Sequence, residues 1–409
     1  MRPWTDVALL GLTQIIGYGT LYYSFSILAP SMARDLGWPN EWIYAALSAA
    51  LLTGGLAAPL AGRWIDRFGA ARIMAIGSVA AALALAACAL APSGIAFVPA
   101  LLAIEIASTL VQYSAAFPLL VQRHPRTAQR CIVYLTLIAG FASTIFWPLT
   151  TWLHGFLTWQ QVYLVFALLH VVLCLPIHAW MSRRTAGEAE SADVEAVAHS
   201  HSPLQGTLPP EVRGKGFLFM AVAFALQSFI SSAVLVHMLP MLAALGLGLA
   251  GVAVGALFGP SQVASRFINM IFGAELSQLS LAIISAGLLP VGLLLLLVTA
   301  PSFAGAMLFA ALFGMGNGLY SIVGGTLPLA LFGAQGYGAR QGQITSVRLI
   351  VGSAAPFAFA LMMQHAGAAW ALLCTGILGA GAVLAFLAIG KLAHHRRENS
   401  ASNEPIALS

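Results

Sequence analysis

Long apolar runs separated by short polar segments dominate the chain. Twelve of them are long enough to cross a bilayer, and they fall near residues 6–30, 42–61, 73–91, 95–121, 131–153, 159–181, 216–240, 248–272, 278–300, 303–332, 342–364 and 368–390. A helix needs about 20 apolar residues to cross the hydrocarbon core of a bilayer. The pattern therefore predicts an all-α membrane protein with twelve transmembrane helices.

The twelve runs form two sets of six with one long polar interval between them. This interval, 182–215, carries charged residues and prolines without hydrophobic periodicity, so it can neither span a bilayer nor bury itself. We predict an N-terminal six-helix bundle over 1–181, a cytoplasmic linker over 182–215, a C-terminal six-helix bundle over 216–391 and a cytoplasmic tail over 392–409.

The two halves also repeat a short pattern directly before the sixth helix of each. His154 precedes Trp159 by the same interval at which His365 precedes Trp370. A repeat of this kind predicts two pseudo-symmetric bundles. Such bundles place a substrate site between them near the middle of the membrane.

Composition agrees with the helix pattern and excludes a soluble protein. Apolar residues make up 60% of the chain and charged residues only 8%, against about 25% charged in ordinary globular proteins. Fifteen of the 18 lysines and arginines fall on one side of the twelve-helix arrangement, which makes that side cytoplasmic. We predict that both termini are cytoplasmic and that the membrane is a bacterial inner membrane. The net charge of +5 therefore reflects topology, not nucleic-acid binding.

Sequence motifs for catalysis are missing from the chain. It contains no P-loop, no GxSxG, no HExxH and no metal-binding Cys/His spacing, and its four cysteines lie singly in separate apolar runs. We predict no enzyme activity and no cofactor. The expected partners are the lipid bilayer, protons and a small molecule, with the protein as a monomer.

Residues 62–72, GRWIDRFGAAR, connect the second and third predicted helices. They resemble the signature loop of the major facilitator superfamily, which implies a two-bundle fold and a loop that latches the cytoplasmic gate. The gating residues implied are Gly62, Asp66, Arg67, Gly69 and Arg72, and we add Arg340 from the second half. The segment departs from the family pattern at Trp64, where a smaller apolar residue is usual, and at 70–71, where basic residues are expected.

Residues 22–30, YYSFSILAP, followed by Leu36, Gly37 and Trp38, resemble the first-helix region of monocarboxylate porters and oxalate/formate exchangers. The resemblance implies transport of a small organic anion of the monocarboxylate class by alternating access, with proton symport as the mechanism. An efflux pump for drugs or metabolites is the first alternative, although the fifth helix lacks the Gly-Pro pair of drug/proton antiporters. The second is a non-transporting sensor or membrane-embedded enzyme.

Three charged residues stand out within the predicted transmembrane helices: Glu105, Arg266 and Arg348. A charge near mid-bilayer costs about 3 kcal/mol or more and persists mainly at functional sites. Arg266 matches the arginine that holds the substrate carboxylate in the porter relatives, although an alternative alignment with Arg63 makes it an interface residue. Three interpretations of Arg348 are open: a second ligand of the anion, a partner of Glu105, or an arginine whose side chain extends to the cytoplasmic lipid headgroups. Glu105 is either a proton-coupling site or a structural carboxyl.

Further polar and aromatic residues fall on helices expected to line the substrate cavity. Each is either a substrate ligand or an interhelical hydrogen-bonding residue. The predicted substrate-binding set, besides Arg266 and Arg348, is Gln14, Tyr18, Tyr22, Gln112, Tyr113, Gln227, Ser231, His237, Gln262, Asn317 and Tyr320. We assign a structural role to His170 and His178.

Overall fold

The computed structural model describes residues 3–183, 206–248 and 250–401, and these are almost entirely helical. The predicted linker, 182–215, therefore lies mostly outside the described residues. In the first half the helices are α1 (Pro3–Tyr18), α2 (Ser24–Leu36), α3 (Asn40–Phe68), α4 (Ala70–Ala89), α5 (Gly94–Val111), α6 (Tyr113–Arg123), α7 (Ala128–Ala139), α8 (Ala142–His154), α9 (Trp159–Leu169) and α10 (175–183).

The described residues of the second half contain six long helices. They are α11 (Arg213–Ala244), α12 (Ala250–Phe272), α13 (Gln278–Thr299), α14 (Phe303–Phe332), α15 (Tyr337–Ala366) and α16 (Ala368–Ala401). Short 3-10 turns lie at Pro125–Thr127, Pro210–Val212 and Gly273–Glu275, and π-helical turns join α1 to α2 at Gly19–Tyr23 and α9 to α10 at His170–Cys174.

Ten helical segments in the described part of the chain are long and apolar enough to cross a membrane. The two other predicted spans are helical as well, over Pro3–Leu36 with its π turn and over Ala250–Phe272. Both are less apolar because polar side chains interrupt them, Gln14 and Tyr18 in the first and Gln262 and Arg266 in the second. The all-helical membrane architecture is confirmed.

The helices extend further than the apolar runs that predicted them. Residues 62–68 continue α3 and residues 70–72 begin α4, so the predicted loop between them shrinks to Gly69. Gly69 has φ 86°, a left-handed conformation that glycine adopts without steric cost. Polar residues end the membrane-spanning stretch but not the helix, since backbone hydrogen bonding continues at the membrane surface.

Two helices predicted as continuous are interrupted. The span over 95–121 breaks at Gln112, which has extended backbone between α5 and α6, and the span over 131–153 breaks at 140–141. At the first break, Gln14 Nε2 donates a 2.7 Å hydrogen bond to the Val111 carbonyl. The Ser114 hydroxyl donates to the Thr109 carbonyl at 2.7 Å. These side chains satisfy carbonyls that an unbroken helix would pair internally.

The chain divides into two compact units, one comprising Met1–Leu204 with Ala334–Ala354 and the other Gln205–Gly333 with Ala355–Ser409. Helix α15 is therefore shared, because its first half belongs to the first unit. Each unit has its own buried apolar core, around Phe97 and Phe166 in the first and around Phe309 and Phe313 in the second. The sequence-based boundaries at 1–181 and 216–391 stay a prediction.

In the second unit, the chain that enters α11 is attached to the end of α14. The Thr207 amide donates to the Ala330 carbonyl at 2.9 Å, and the Leu208 amide donates to the Leu331 carbonyl at 3.0 Å. The last carbonyls of a helix have no partner within the helix. Residues 207–208 supply that partner, and the Leu208 side chain is 1% exposed.

Helices α12 and α14 approach each other closely in the second unit. A Cβ on Gly314 would lie 2.7 Å from the Phe258 carbonyl oxygen, and one on Gly318 would overlap the backbone of Gln262 and the Ser265 hydroxyl. Small residues four apart on one helix face allow this kind of contact.

We predict that Gly318→Ala destabilises the protein by roughly 1–3 kcal/mol. Alanine gains about 1 kcal/mol in helix propensity over glycine, but the added methyl group meets the backbone of α12, which cannot move aside. The measurement is the apparent melting temperature of the detergent-solubilised protein. Gly259→Ala is the control because that position in α12 has open space. An unchanged melting temperature for Gly318→Ala would contradict the close contact.

Candidate functional site

The Asp66 carboxylate caps the N-terminal end of α15 within the first unit. Its Oδ1 accepts a hydrogen bond from the Gly338 amide and its Oδ2 one from the Ala339 amide, each at 2.8 Å. A helix N-terminus carries unpaired amides and a partial positive charge, so a carboxylate stabilises it. The Asp66 carboxylate therefore stabilises the first turn of α15, and its gating role stays a prediction.

Close backbone packing accompanies this cap. A Cβ on Gly62 would overlap the Gly338 carbonyl, and one on Gly342 would overlap the Ala58 carbonyl. Glycine at both positions lets α3 and the start of α15 meet backbone to backbone. Gly62 therefore has a steric role beside the Asp66 cap.

Gln122, which the sequence did not single out, holds the turn that carries Asp66. Its Oε1 accepts a hydrogen bond from the Ala70 amide at 2.9 Å, and its Nε2 donates to the Ile65 carbonyl at 3.4 Å. One side chain thus contacts the end of α3 and the beginning of α4. No sequence signal marks it, since Gln122 is separated from the turn by about fifty residues of chain.

The remaining predicted gating residues are arginines with different surroundings. The Arg67 guanidinium lies 5.1 Å from the centre of the Phe68 ring, and Arg72 is exposed at the start of α4. Arg340 donates from Nη2 to the Gln335 carbonyl in the turn that precedes α15. The gating role of these residues stays a prediction.

Several predicted ligands of the first unit lie together around the helix break. The rings of Tyr18 and Tyr113 are 4.8 Å apart, and Tyr113 stacks on Phe117 at 4.7 Å. Arg348, on the part of α15 that belongs to this unit, interacts electrostatically with the Tyr18 phenol. The structure therefore brings Tyr18, Tyr113 and Arg348 to one place.

Three glutamines of the predicted substrate-binding set each have one buried amide atom without a hydrogen bond. Gln14 Oε1, Gln112 Nε2 and Gln227 Oε1 are buried side-chain atoms with no hydrogen-bond partner among the described residues. A buried amide without a partner is costly, and it persists where a ligand or water completes it. These atoms can form a further hydrogen bond to water or a ligand, and the binding role of the three glutamines stays a prediction.

Glu105 is buried on α5, where its side chain is 4% exposed. A Cβ on Gly54 would lie 3.3 Å from the Glu105 Cβ, so α3 packs directly against this position. Glu105 forms no hydrogen bond or ion pair within the described chain, so Arg348 is not its ion-pair partner. Tyr22 and Tyr163 lie near enough to interact with it electrostatically. The two interpretations of Glu105, a proton-coupling site and a structural carboxyl, both stay predictions.

Arg266 lies inside the second unit, with 7% of its surface exposed. Its Nε donates to the Gly318 carbonyl of α14 at 3.2 Å, and its Nη2 donates to Gln262 Oε1 at 3.3 Å. Arg63, the residue matched to it in the alternative alignment, is exposed. The two arginines therefore differ in environment, and Arg266 does not have the exposure of a headgroup-contacting residue.

Most of the other predicted residues of the second unit form interhelical hydrogen bonds, whereas His237 bonds within its own helix. Gln227 Nε2 donates to the Ser285 hydroxyl at 3.3 Å, the Ser231 hydroxyl to Asn317 Oδ1 at 3.3 Å, and the Tyr320 hydroxyl to the Phe224 carbonyl at 3.0 Å. His237 bonds the Ala233 carbonyl and lies 5.4 Å from the Phe359 ring. These bonds give each residue a structural role, and contact with substrate stays a prediction.

Comparison with known proteins identifies the family. The sequence profile of the Major Facilitator Superfamily matches residues 10–356. The chain belongs to the major facilitator superfamily. It is an integral membrane transporter and not an enzyme. A search of curated protein sequences gives no match.

Solved structures of other transporters share the fold of this major facilitator. The human organic anion transporter MFSD10 (TETRAN) superposes with a TM-score of 0.72 at 17% identity, covering 93% of this chain and 98% of that one. The proton:xylose symporter XylE superposes with a TM-score of 0.69 at 13% sequence identity, covering 94% of this chain and 95% of that one. FucP in the outward conformation superposes with a TM-score of 0.68 at 13% sequence identity, covering 94% of this chain and 98% of that one. The likeness to monocarboxylate porters remains a hypothesis.

The transporter also contains a charge cluster that sequence inspection missed. Asp6, 1% exposed, receives His124 Nε2 at 2.7 Å and Arg123 Nε at 3.3 Å on the same carboxylate oxygen. The cluster joins the start of α1 to the end of α6. Asp6 is more than a hundred positions away from its two partners in the sequence, so no local sequence pattern predicts the contact.

Buried histidines of the sixth predicted span form hydrogen bonds to the first and third predicted spans. His170 bonds the Thr20 hydroxyl at 2.9 Å, and His178 lies between the Ser78 and Thr13 hydroxyls at 2.8 and 3.1 Å. These hydrogen bonds support the structural role assigned to both. The described residues contain no group of three or more His, Cys, Asp or Glu able to hold a metal.

We predict that Asp66→Asn slows transport severalfold and leaves substrate affinity nearly unchanged. An amide offers one acceptor oxygen and no charge, so the cap of α15 loses up to about 1 kcal/mol without any change at Arg266 or Glu105. The measurement pairs initial rates in proteoliposomes with a binding isotherm. Glu41→Gln, an exposed carboxyl at the other end of α3, is the matched control. A loss of affinity as large as the loss of rate would contradict the gating role.

Proposed function

We propose that this transporter moves a small organic anion of the monocarboxylate class together with a proton, by alternating access. In this proposal it functions as a monomer in a bacterial inner membrane with both termini in the cytoplasm. Membership of the superfamily establishes transport. The substrate class and the coupling are inferred from two buried ionisable residues, Arg266 in the second unit and Glu105 in the first.

The observation that carries the proposal is the buried and oriented guanidinium of Arg266. A bond from Nε to α14 and a bond from Nη2 to Gln262 fix the plane of the group. A fixed guanidinium matches the planar geometry of a carboxylate and binds it through two parallel hydrogen bonds. Lysine lacks that fork, so an anion site of this kind is specific for arginine.

Glu105 supports the proton-coupled part of the proposal. Glu105 is 4% exposed and forms no hydrogen bond or ion pair within the described chain, and an ionisable side chain buried in a transmembrane helix is a candidate for proton transfer. Such a group binds and releases a proton as its surroundings alternate between buried and hydrated. Coupling requires a group with this property on the transport path.

The structural neighbours are compatible with this proposal but do not select it. One is named an organic anion transporter and another a proton:xylose symporter. At 17% and 13% identity they indicate that the fold accommodates anion transport and proton symport. The choice between substrates depends on side chains of this chain.

One observation favours the alternative of a drug or metabolite efflux pump. Besides the Tyr18–Tyr113 pair, the first unit contains a second aromatic set, in which the Tyr22 and Tyr23 rings are 5.2 Å apart and Trp147 lies 5.8 Å from Tyr23. Aromatic surfaces bind planar or cationic organic molecules with little geometric selectivity. An aromatic substrate would use this cluster in preference to Arg266.

A binding panel separates the two candidates. Purified protein is titrated with short monocarboxylates, with their amides, with aromatic amines and with neutral sugars, and thermal stabilisation reports binding. Stabilisation by carboxylates but not by their amides supports the anion proposal. Stabilisation by aromatic amines alone would favour efflux, and stabilisation by sugars alone would contradict both.

For the carboxylate that binds best, we predict that Arg266→Lys weakens binding more than about tenfold, equivalent to about 1.4 kcal/mol. Lysine keeps the charge and loses the two-pronged hydrogen-bond geometry. Arg266→Ala should abolish binding while the protein still inserts. Isothermal titration gives the affinity. Arg63→Lys is the control, because that exposed arginine should tolerate the exchange. Normal affinity in the Arg266→Lys variant would contradict the binding role of Arg266 and leave Arg348 as the candidate carboxylate ligand.

We predict that Glu105→Gln abolishes proton-driven accumulation and preserves substrate exchange. Glutamine has nearly the same shape as a neutral carboxyl but cannot release a proton. Proteoliposomes with an imposed pH gradient measure accumulation, and preloaded vesicles measure exchange. Glu275→Gln, an exposed carboxyl in the second unit, is the control. Uphill uptake by the Glu105→Gln variant would remove Glu105 from the coupling mechanism.

A further inference from the structure

An apolar groove lies on the surface of the first unit, at the junction of α3 and α4. Its cavity volume is about 270 Å³. Apart from one arginine, its walls are apolar. The lining residues are Trp64, Phe68, Arg72, Ile73, Ile76 and Leu110.

The groove lies where two stripes of exposed apolar side chains meet, one on α3 and one on α4. On α4, Ile76 is 54% exposed and Leu83 is 66% exposed, at positions that repeat on one helix face. On α3, Trp64 and Phe68 are 42% and 46% exposed one turn apart. On a membrane-spanning helix such a stripe contacts lipid acyl chains. Ile73 and Leu110, both buried, form the floor between the two stripes.

Positive charge is concentrated at one end of this groove. Arg72 lines it directly, and Arg67 lies above the Phe68 ring. The neighbouring acid, Asp66, accepts hydrogen bonds from two backbone amides of α15. The arginines therefore give the mouth of the groove an excess of positive charge beside a purely apolar interior.

We propose that this groove binds an anionic phospholipid of the surrounding bilayer, with one acyl chain against Trp64, Phe68 and Ile76 and the phosphate at Arg72. A cation at the membrane end of an apolar cleft matches a molecule that is anionic at one end and hydrocarbon beyond it. The site is separate from Arg266 and Glu105, so the inference is independent of the proposed substrate.

The position of the groove gives the lipid a consequence for the transporter. Trp64 and Phe68 lie on the same stretch of α3 as Asp66, and Arg72 lies one turn after the Gly69 bend. A lipid seated there contacts both helices that form the turn held by Gln122. Occupancy should therefore stabilise the turn that caps α15.

Lipid binding by the delipidated full-length protein in detergent tests this inference. Phosphatidylglycerol and phosphatidylcholine with identical acyl chains are titrated separately, and native mass spectrometry counts the bound molecules. The expected result is one site that prefers phosphatidylglycerol. Arg72→Gln should weaken phosphatidylglycerol binding about fivefold, the equivalent of about 1 kcal/mol for one arginine at an anionic surface. Ile76→Trp, which fills the groove, should remove the site.

Two variants on equivalent surfaces serve as matched controls. Leu83→Trp adds the same ring to the same exposed face of α4 outside the groove, and Arg130→Gln removes an exposed arginine elsewhere in the first unit. Both should bind phosphatidylglycerol as the unmodified protein does. Because Arg72 is exposed, Arg72→Gln decides the question even if Ile76→Trp fails to fold.

Three results would overturn the proposal. Equal affinity for the two lipids would show that charge has no part in the site. An equal loss of binding in Leu83→Trp or Arg130→Gln would show diffuse lipid adsorption and no groove. A dimer that dissociates in Ile76→Trp would assign the groove to a second copy of the chain.

Discussion

The absence of water inside a bilayer is the constraint on which this structure depends. Each polar group placed in hydrocarbon must find its partner within the protein, and for the backbone only a helix supplies that partner locally. The break at Gln112 shows how strictly the rule is kept. Where α5 ends, the Val111 carbonyl takes its hydrogen bond from Gln14 on another helix. An interruption in a transmembrane helix therefore requires a compensating side chain elsewhere.

The same constraint separates structural polar side chains from functional ones. His178 sits between two hydroxyls, and Tyr320 donates to a backbone carbonyl, so both contribute to helix packing. Glu105 has no such partner in the described chain, and the amide oxygen of Gln227 is also unpaired. A carboxyl buried without a partner lowers stability. In the proposed function, a proton completes this group during transport.

The sequence predicted the helices well because hydrophobic length is a property of the chain alone. The run at 303–332 coincides with α14, and the run at 159–181 begins where α9 begins. It missed the break at Gln112, because that position is flanked by neither glycine nor proline and its capping residue is 97 positions away. It placed residues 62–72 in a loop because polar residues end an apolar run without ending a helix.

Site prediction was limited by the same dependence on distant contacts. The aspartate of the signature segment was recognisable, but its partners lie 272 and 273 residues further along the chain. The repeated His-to-Trp spacing shows that a pattern visible in the sequence can also correspond to different contacts in the two halves. In the first half both residues form side-chain hydrogen bonds: Trp159 donates to Asp35, and His154 bonds Ser31. In the second half Trp370 is 60% exposed, so equal spacing did not bring equal contacts.

The attachment of Thr207 and Leu208 to the end of α14 decides where the chain can be divided experimentally. A cut or an inserted tag before Gly206 leaves the hydrogen bonds to Ala330 and Leu331 in place, and the second half keeps its own helix cap. A cut after Leu208 separates that cap from the fragment that needs it. Co-expression of the two halves as separate polypeptides should therefore use a junction upstream of Gly206, so that the second polypeptide begins with the residues that complete α14.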